Sequence, residues 1–340
     1  MERIACIIDH TYLYWSSVIL CLAAGAAICA FLALYLRKKK RTAAALVFVP
    51  AAVALSLVLS RLAWWYFRPD SFGSLEEALQ FRLPGGFALM GVSAGCILAA
   101  LLVWAIRLEP DLPDLLDCLC PAAALGIAVG RLASFFNASD RGMTVGGQYG
   151  LPWAAAVINP VSGMPEYRIA TFLLQAMAAG SIFVILLVVY LTGTKQKGDT
   201  CLLFLLLYGT TQTVLDSTRY DSLYLRSNGF ISAVQLLSAG IAALAAIIWS
   251  VRMVRAGGWK KWHGLLWLGQ LSCFSLAGYM EYYVQRHGNE ALFAYSVMAA
   301  ALTAFVLLSL VTLRVAAVEK RRHRQWLDQI AAEGSAECSC

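Results

Sequence analysis

Nine stretches of this chain are apolar over 17 to 24 residues each, and no soluble fold can hide that many. They cover residues 16–36, 43–60, 87–106, 115–136, 169–192, 199–215, 231–251, 264–284 and 291–313. A bilayer's hydrocarbon core is about 30 Å thick, and about 20 apolar helical residues cross it. Backbone groups in lipid must pair inside their own segment, so runs of this length must answer with helices. The expected fold is all-α, a polytopic membrane helical bundle. Only 14% of the residues are charged, which excludes the ordinary soluble classes.

The formal net charge of +7 could point to nucleic acid, but its distribution does not. Seventeen of the 27 Lys and Arg residues lie in five groups, at 37–41, 107, 195–197, 252–261 and 314–324. If nine spans alternate, all five groups face one side. By the positive-inside rule the N-terminus is then outside and the C-terminus cytoplasmic, in a cytoplasmic membrane. Anionic lipid headgroups are the expected partners of these groups, with no nucleic acid. Most of the ten cysteines fall in apolar runs, and no paired CxxC spacing suggests zinc. Neither a metal nor a cofactor is expected.

Against this background a charge at membrane depth is the strongest functional signal. Gly130 to Gly142 reads Gly-Arg-Leu-Ala-Ser-Phe-Phe-Asn-Ala-Ser-Asp-Arg-Gly, and Arg131 precedes two phenylalanines. An arginine there costs about 3 kcal/mol on insertion scales, so it should face protein or a wet cavity and meet an anion. The alternative is an arginine that snorkels to the interface. Asn137 to Gly142 then form a polar exit. Further on, Gln212, Asp216 and Arg219 share a face if the helix continues through them, at i, i+4 and i+7. That face should line the cavity of Arg131, unless Asp216 and Arg219 simply satisfy each other.

The loops carry their own expectations. Tyr12, Tyr14 and Trp15 should form an interfacial aromatic group. Residues 61–86, with Trp64, Trp65, Tyr66 and Phe67, read as an outside loop able to lie among headgroups. Gly91 and Gly95 give a small-xxx-small spacing for helix packing. Residues 137–168, rich in Gly and Pro, read as a folded loop.

These residues together resemble the bacterial prolipoprotein diacylglyceryl transferases. Trp15 resembles the family's aromatic opening, and Pro84, Gly85, Gly86 and Gly91 the start of its third span. Gly130, Arg131, Phe135, Asn137 and Gly142 match its Gly-Arg signature, and Gly150 to Ala154 resemble the loop after it. Tyr208, Gly209, Asp216, Arg219, Asp221 and Gln235 to Ser238 resemble the last two family helices. There are departures. Ser16, Met90, Ser134 and Ser139 stand where the family has tyrosine, histidine, asparagine and glutamate. Gln212 stands for an arginine, and Asp216 for a glutamate.

The resemblance implies a seven-helix body over residues 1–256, with a two-helix hairpin at 257–316 and a basic cytoplasmic tail at 317–340 added to it. It implies transfer of diacylglyceryl from phosphatidylglycerol to the lipobox cysteine of a prolipoprotein signal peptide. Asp216 and Arg219 are then the expected catalytic residues, and Arg131, Asn137, Gly142 and Gln212 bind substrate. Glu166, Tyr149, Glu281 and His287 are further candidates for a base. The alternative is an inactive relative that binds phosphatidylglycerol or signal helices. A transporter is disfavoured, because inverted repeats and a relay of membrane acids are not evident.

Overall fold

The computed structural model describes residues 4–8, 11–39, 41–68, 71–80, 86–137, 139–144, 154–158, 163–193, 196–219, 221–225, 228–287 and 290–337. Among the described residues ten α-helices carry the fold: α1 Trp15–Lys39, α2 Thr42–Phe67, α3 Leu75–Leu79, α4 Leu89–Ala105, α5 Leu112–Arg131, α6 Thr171–Thr192, α7 Asp199–Ser217, α8 Ala233–Gly257, α9 Lys261–Arg286 and α10 Ala291–Glu337. All nine apolar stretches hold a helix. Six helices (α1, α2, α5, α6, α8 and α10) are long and apolar enough to cross a membrane, and α4 is a shorter apolar helix. The more polar α7 and α9 are not among the six. This is a multi-pass membrane protein with an all-α bundle.

Among the described residues three short antiparallel hairpins precede or join the helices: β1 Ile4–Ile8 with β2 Thr11–Tyr14 before α1, β3 Ala154–Ile158 with β4 Pro165–Ile169, and β5 Tyr224–Leu225 with β6 Asn228–Ser232. The folded loop expected at 137–168 therefore contains β3 and β4.

The chain forms two compact units. The first comprises Met1–Phe204 and Leu215–Leu236. In it α4 lies directly on α2 because glycine allows it: a Cβ on Gly91 would fall 2.3 Å from Leu59 O, and one on Gly95 2.4 Å from Ser56 N. Phe31, Tyr35, Phe48, Val103 and Leu115 bury the apolar centre between α1, α2, α4 and α5. At one end of this centre Asp117 of α5, fully buried, accepts from Gly198 N at 2.7 Å and Cys201 N at 2.8 Å. It thereby satisfies orphan N–H groups of the first turn of α7, where the helix dipole also favours an anion. Buried Glu109 accepts from Tyr35 Oη at 2.7 Å and lies 3.8 Å from Arg41.

The loop expected at 61–86 is corrected in part. α2 continues to Phe67, so Trp64, Trp65, Tyr66 and Phe67 belong to a helix. Beyond it α3 is capped by Ser74, whose hydroxyl accepts from Glu77 N at 3.2 Å. Arg61, 1% exposed, holds α3 to α2 by donating from Nε to Ala78 O at 3.0 Å. Its guanidinium lies over the rings of Phe72 and Phe87, at 4.3 Å and 5.3 Å. Tyr12, Tyr14 and Trp15 are exposed where β2 runs into α1, and Trp15 also stacks on Phe136 at 6.1 Å. Pro84 and Gly85 lie outside the described residues.

The second unit comprises Leu205–Val214 and Leu237–Cys340. α9 and α10 pack through Ala277, Val284, Ala294, Met298 and Leu302. Gln270 of α9, buried, donates from Nε2 to Ser309 at 3.3 Å and Thr312 at 3.2 Å on α10. A single α-helix continues from 291 through 317 to Glu337, so the segment expected as a basic tail is helical as far as Glu337.

Candidate functional site

The site forms where α5, α6 and α7 end or begin on one side of the first unit. α5 closes on Arg131 and tightens into a single 3-10 turn, Leu132–Phe135, that buries Ser134. The chain then reverses through Asp140, whose φ of +57° is left-handed. Aspartate is one of the few non-glycine residues that tolerate this region. Gly142 N donates to Ile169 O at 2.8 Å, and Met143 N to Thr218 O at 3.1 Å, so this loop is stitched to the starts and ends of α6 and α7.

Asp140 is the hub. Its Oδ1 lies 2.9 Å from Arg131 Nη1 and 2.7 Å from Arg219 Nη2. Ser134 Oγ donates to its Oδ2 at 2.8 Å. Arg219 also meets Asp221 Oδ1 from Nη2 at 3.1 Å and from Nε at 3.2 Å, and Asp216 Oδ1 from Nη1 at 3.4 Å. The Asp216 side chain is fully buried and also accepts from the Ser232 hydroxyl, while its main-chain carbonyl accepts from Ser222 Oγ at 3.2 Å. Arg68 Nη2 donates to the Asp221 carbonyl at 2.8 Å. Burial pushes the Asp140 carboxyl up, but Arg131, Arg219 and the Ser134 hydroxyl outweigh it and hold the group at about 2. For Arg219 burial acts to lower the pKa, and the carboxylates of Asp140, Asp221 and Asp216 raise it above the usual arginine value. The Arg219 guanidinium therefore stays charged, and the planar forks of Arg131 and Arg219 both suit carboxylate or phosphate.

The structure brings Arg131, Asp216, Arg219 and Gly142 into one cluster. Gly142 forms a backbone bridge with Arg219, and a Cβ there would fall 2.8 Å from Ile169 Cβ and Thr171 Oγ1. Asn137 is exposed and reaches the loop through its carbonyl, which accepts from Arg141 Nη2 at 3.2 Å. Gln212 lies one turn before Asp216 on α7, 3% exposed, and its Nε2 has no hydrogen-bond partner among the described residues. One expectation is corrected: the helix does not continue through Arg219, so of the three only Gln212 and Asp216 share a face of α7. α7 ends at Ser217, because the strip around Arg219 pairs with the loop at 142–143. The isolated Asp216–Arg219 pair is likewise a wider network.

Of the candidate bases, Glu166 pairs with Arg168 at 2.5 Å, Glu281 accepts from Gln285 at 3.5 Å, and His287 stacks on Tyr283 at 4.4 Å. Tyr149 and residues 150–153 lie outside the described residues. Asp140 as hub was missed, as were Asp221, which holds the Asp140 backbone, and Ser232, which holds Asp216. The available signal for Asp140 was its place beside a cluster of other polar residues after a buried arginine.

The model of the prolipoprotein diacylglyceryl transferase family matches residues 4–251. The chain belongs to that family. A phosphatidylglycerol–prolipoprotein diacylglyceryl transferase of Finegoldia magna is 31% identical over 200 residues, 58% of this chain and 74% of that protein. The protein of the same name from Lactococcus lactis subsp. lactis is 26% identical over 261 residues, 75% of this chain and 96% of its own length. The diacylglyceryl transferase family thus accounts for the first 251 residues, which include every member of the Asp140 network. α9 and α10 lie beyond the matched region.

Proposed function

We propose that this chain is a phosphatidylglycerol–prolipoprotein diacylglyceryl transferase of a bacterial cytoplasmic membrane, with its N-terminus outside and its C-terminus cytoplasmic. The convergence of Arg131 and Arg219 on one carboxylate oxygen carries the reading, because two forks aimed at one oxyanion can also grip a phosphate. Arg131 and Arg219 hold the phosphatidylglycerol phosphate, with Asn137, Gly142 and Gln212 shaping the pocket around the headgroup. The lipobox cysteine arrives as thiolate, its proton taken by Asp216 or by water. Its sulfur bonds to the diacylglyceryl carbon as the bond from that carbon to the phosphate oxygen breaks. Glycerol phosphate leaves as an anion, stabilised by Arg219. Residues 1–256 form the transferase body, 257–316 an added hairpin and 317–340 a basic cytoplasmic tail.

A second reading has one observation in its favour. Asp140, Asp216 and Asp221 are each engaged by arginine or hydroxyl groups, which supports an inactive relative that binds phosphatidylglycerol or signal helices. The deciding experiment is complementation of bacteria depleted of their own transferase, with mass spectrometry of a reporter lipoprotein. A diacylglyceryl thioether, lost in Arg131→Ala and Arg219→Ala, supports the enzyme. Unmodified precursor beside a membrane-inserted protein that still binds phosphatidylglycerol vesicles moves the assignment to the inactive relative.

A further inference from the structure

The second unit holds an apolar groove of its own. One stripe of α8, through Ala243, Ile247, Val251 and Val254, faces Trp267 and Phe274 of α9, and a cavity of about 640 Å³ lies between them. This volume is within the range of small-molecule sites. The lining is almost wholly apolar, and its one long amide, Gln270, is already committed to Ser309 and Thr312. A water-soluble polar ligand finds little to bind here.

Two polar features sit at one end. Arg255 closes the stripe, exposed, inside the 252–261 run that carries four cations. Trp267 lies near the start of α9, and its indole N–H is buried with no hydrogen-bond partner among the described residues. From Ala243 to Arg255 the stripe is about 18 Å long at 1.5 Å per residue. One leaflet of a bilayer core is roughly 15 Å deep. A groove of leaflet depth, with an unpaired donor and then a cation at its mouth, matches an acyl chain, an ester carbonyl and a phosphate in that order.

We infer that this groove binds one acyl chain of an anionic membrane phospholipid, with Arg255 at its phosphate. None of the groove's lining residues belongs to the Arg131–Arg219 cluster; Arg255, α9 and α10 lie beyond the residues matched by the family, and the α8 stripe from Ala243 to Val251 lies within them.

The test is fluorescence quenching of Trp267 by bromine on the lipid chains. The full chain is reconstituted in phosphatidylcholine vesicles containing brominated phosphatidylglycerol or, at the same mole fraction, brominated phosphatidylcholine. The Trp267 signal is the difference between the intact chain and Trp267→Phe. Phosphatidylglycerol should be preferred about fivefold, corresponding to about 1 kcal/mol for one cation near the headgroups. Arg255→Ala should abolish the preference and Arg255→Lys should retain it. Ala243→Leu, which narrows the groove, should reduce quenching by both lipids with helical circular dichroism unchanged. Equal quenching by the two lipids in the intact chain, or a preference that survives Arg255→Ala, overturns the inference. So does the absence of quenching by either lipid, which would place a protein segment in the groove.

Discussion

The backbone N–H of Asp140 donates to the carboxylate of Asp221 at 2.9 Å, joining loops 81 residues apart in sequence. The left-handed conformation of Asp140 accompanies this bond, while the Asp140 side chain holds both arginines. Backbone and side chain of a single residue thus lock the end of α5 to the end of α7.

Asp140→Asn separates these two roles, because asparagine also tolerates φ above zero while losing the charge. Arg131 loses the carboxylate it pairs with in a largely buried place, while Arg219 keeps Asp216 and Asp221, and the cost is about 3 kcal/mol. Thermal unfolding in detergent should show a lowered midpoint, with Asp140→Ala lower still. An unchanged midpoint would mean that water or the remaining carboxylates compensate the two arginines.

The same carboxyl sets an acid limit. Its pKa in the folded chain, about 2, is below the ordinary aspartate value of 3.8. The sign follows: the unfolded chain takes up the proton first as pH falls, so the contribution is complete above about 4 and disappears on approaching 2. It amounts to about 2 kcal/mol. The gap in unfolding midpoint between the intact chain and Asp140→Asn should be constant from pH 7 to 5 and shrink between pH 4 and 2. A gap that closes near neutral pH would contradict this assignment.

Gly142→Ala should damage the site, and Gly130→Ala should not. The new methyl at 142 meets Ile169 Cβ and Thr171 Oγ1 at 2.8 Å and the Thr218 carbonyl at 2.9 Å. Overpacking of this kind costs about 1 to 3 kcal/mol, and it pushes Arg219 away from Asp140. At 130 the nearest atom is Ala23 Cβ at 3.6 Å, an ordinary contact. Binding to phosphatidylglycerol vesicles should therefore fall for the first variant only. Equal behaviour of the two would show that the 142 loop relaxes without moving Arg219.

Gly95→Leu should separate α2 from α4. Even a Cβ at 95 overlaps the Ser56 backbone at 2.4 Å, where no rotamer can yield. The expected result is loss of about 3 kcal/mol or failure to accumulate, read by unfolding in detergent and by membrane yield. Full stability would mean that α4 can shift along α2 at little cost.

The helices were legible because hydropathy is a property of each segment alone, and all nine runs hold one. Arg131 was legible because a charge at membrane depth demands an anion. The ends of the helices were not legible. Whether α7 stops at Ser217 or continues through Arg219 depends on Gly142, Met143 and Asp140, which lie some 75 residues earlier. No local pattern records that pairing. The same holds for Ser232, whose hydroxyl reaches Asp216 across a turn that only the folded chain closes.

α10 has 47 residues and so is about 70 Å long, more than twice the hydrocarbon thickness. Its apolar run ends at 313, its candidate membrane span at Arg322, and the acidic positions 328, 333 and 337 follow along the same axis. On an unbroken helix they stand about 9, 17 and 22 Å past Arg322. The Debye length at physiological salt is about 8 Å. Charges that nearly cancel when counted along the sequence are thus spread out in space: positions 333 and 337 stand two or more Debye lengths past Arg322, whose near carboxylate is Glu319 at 3.9 Å.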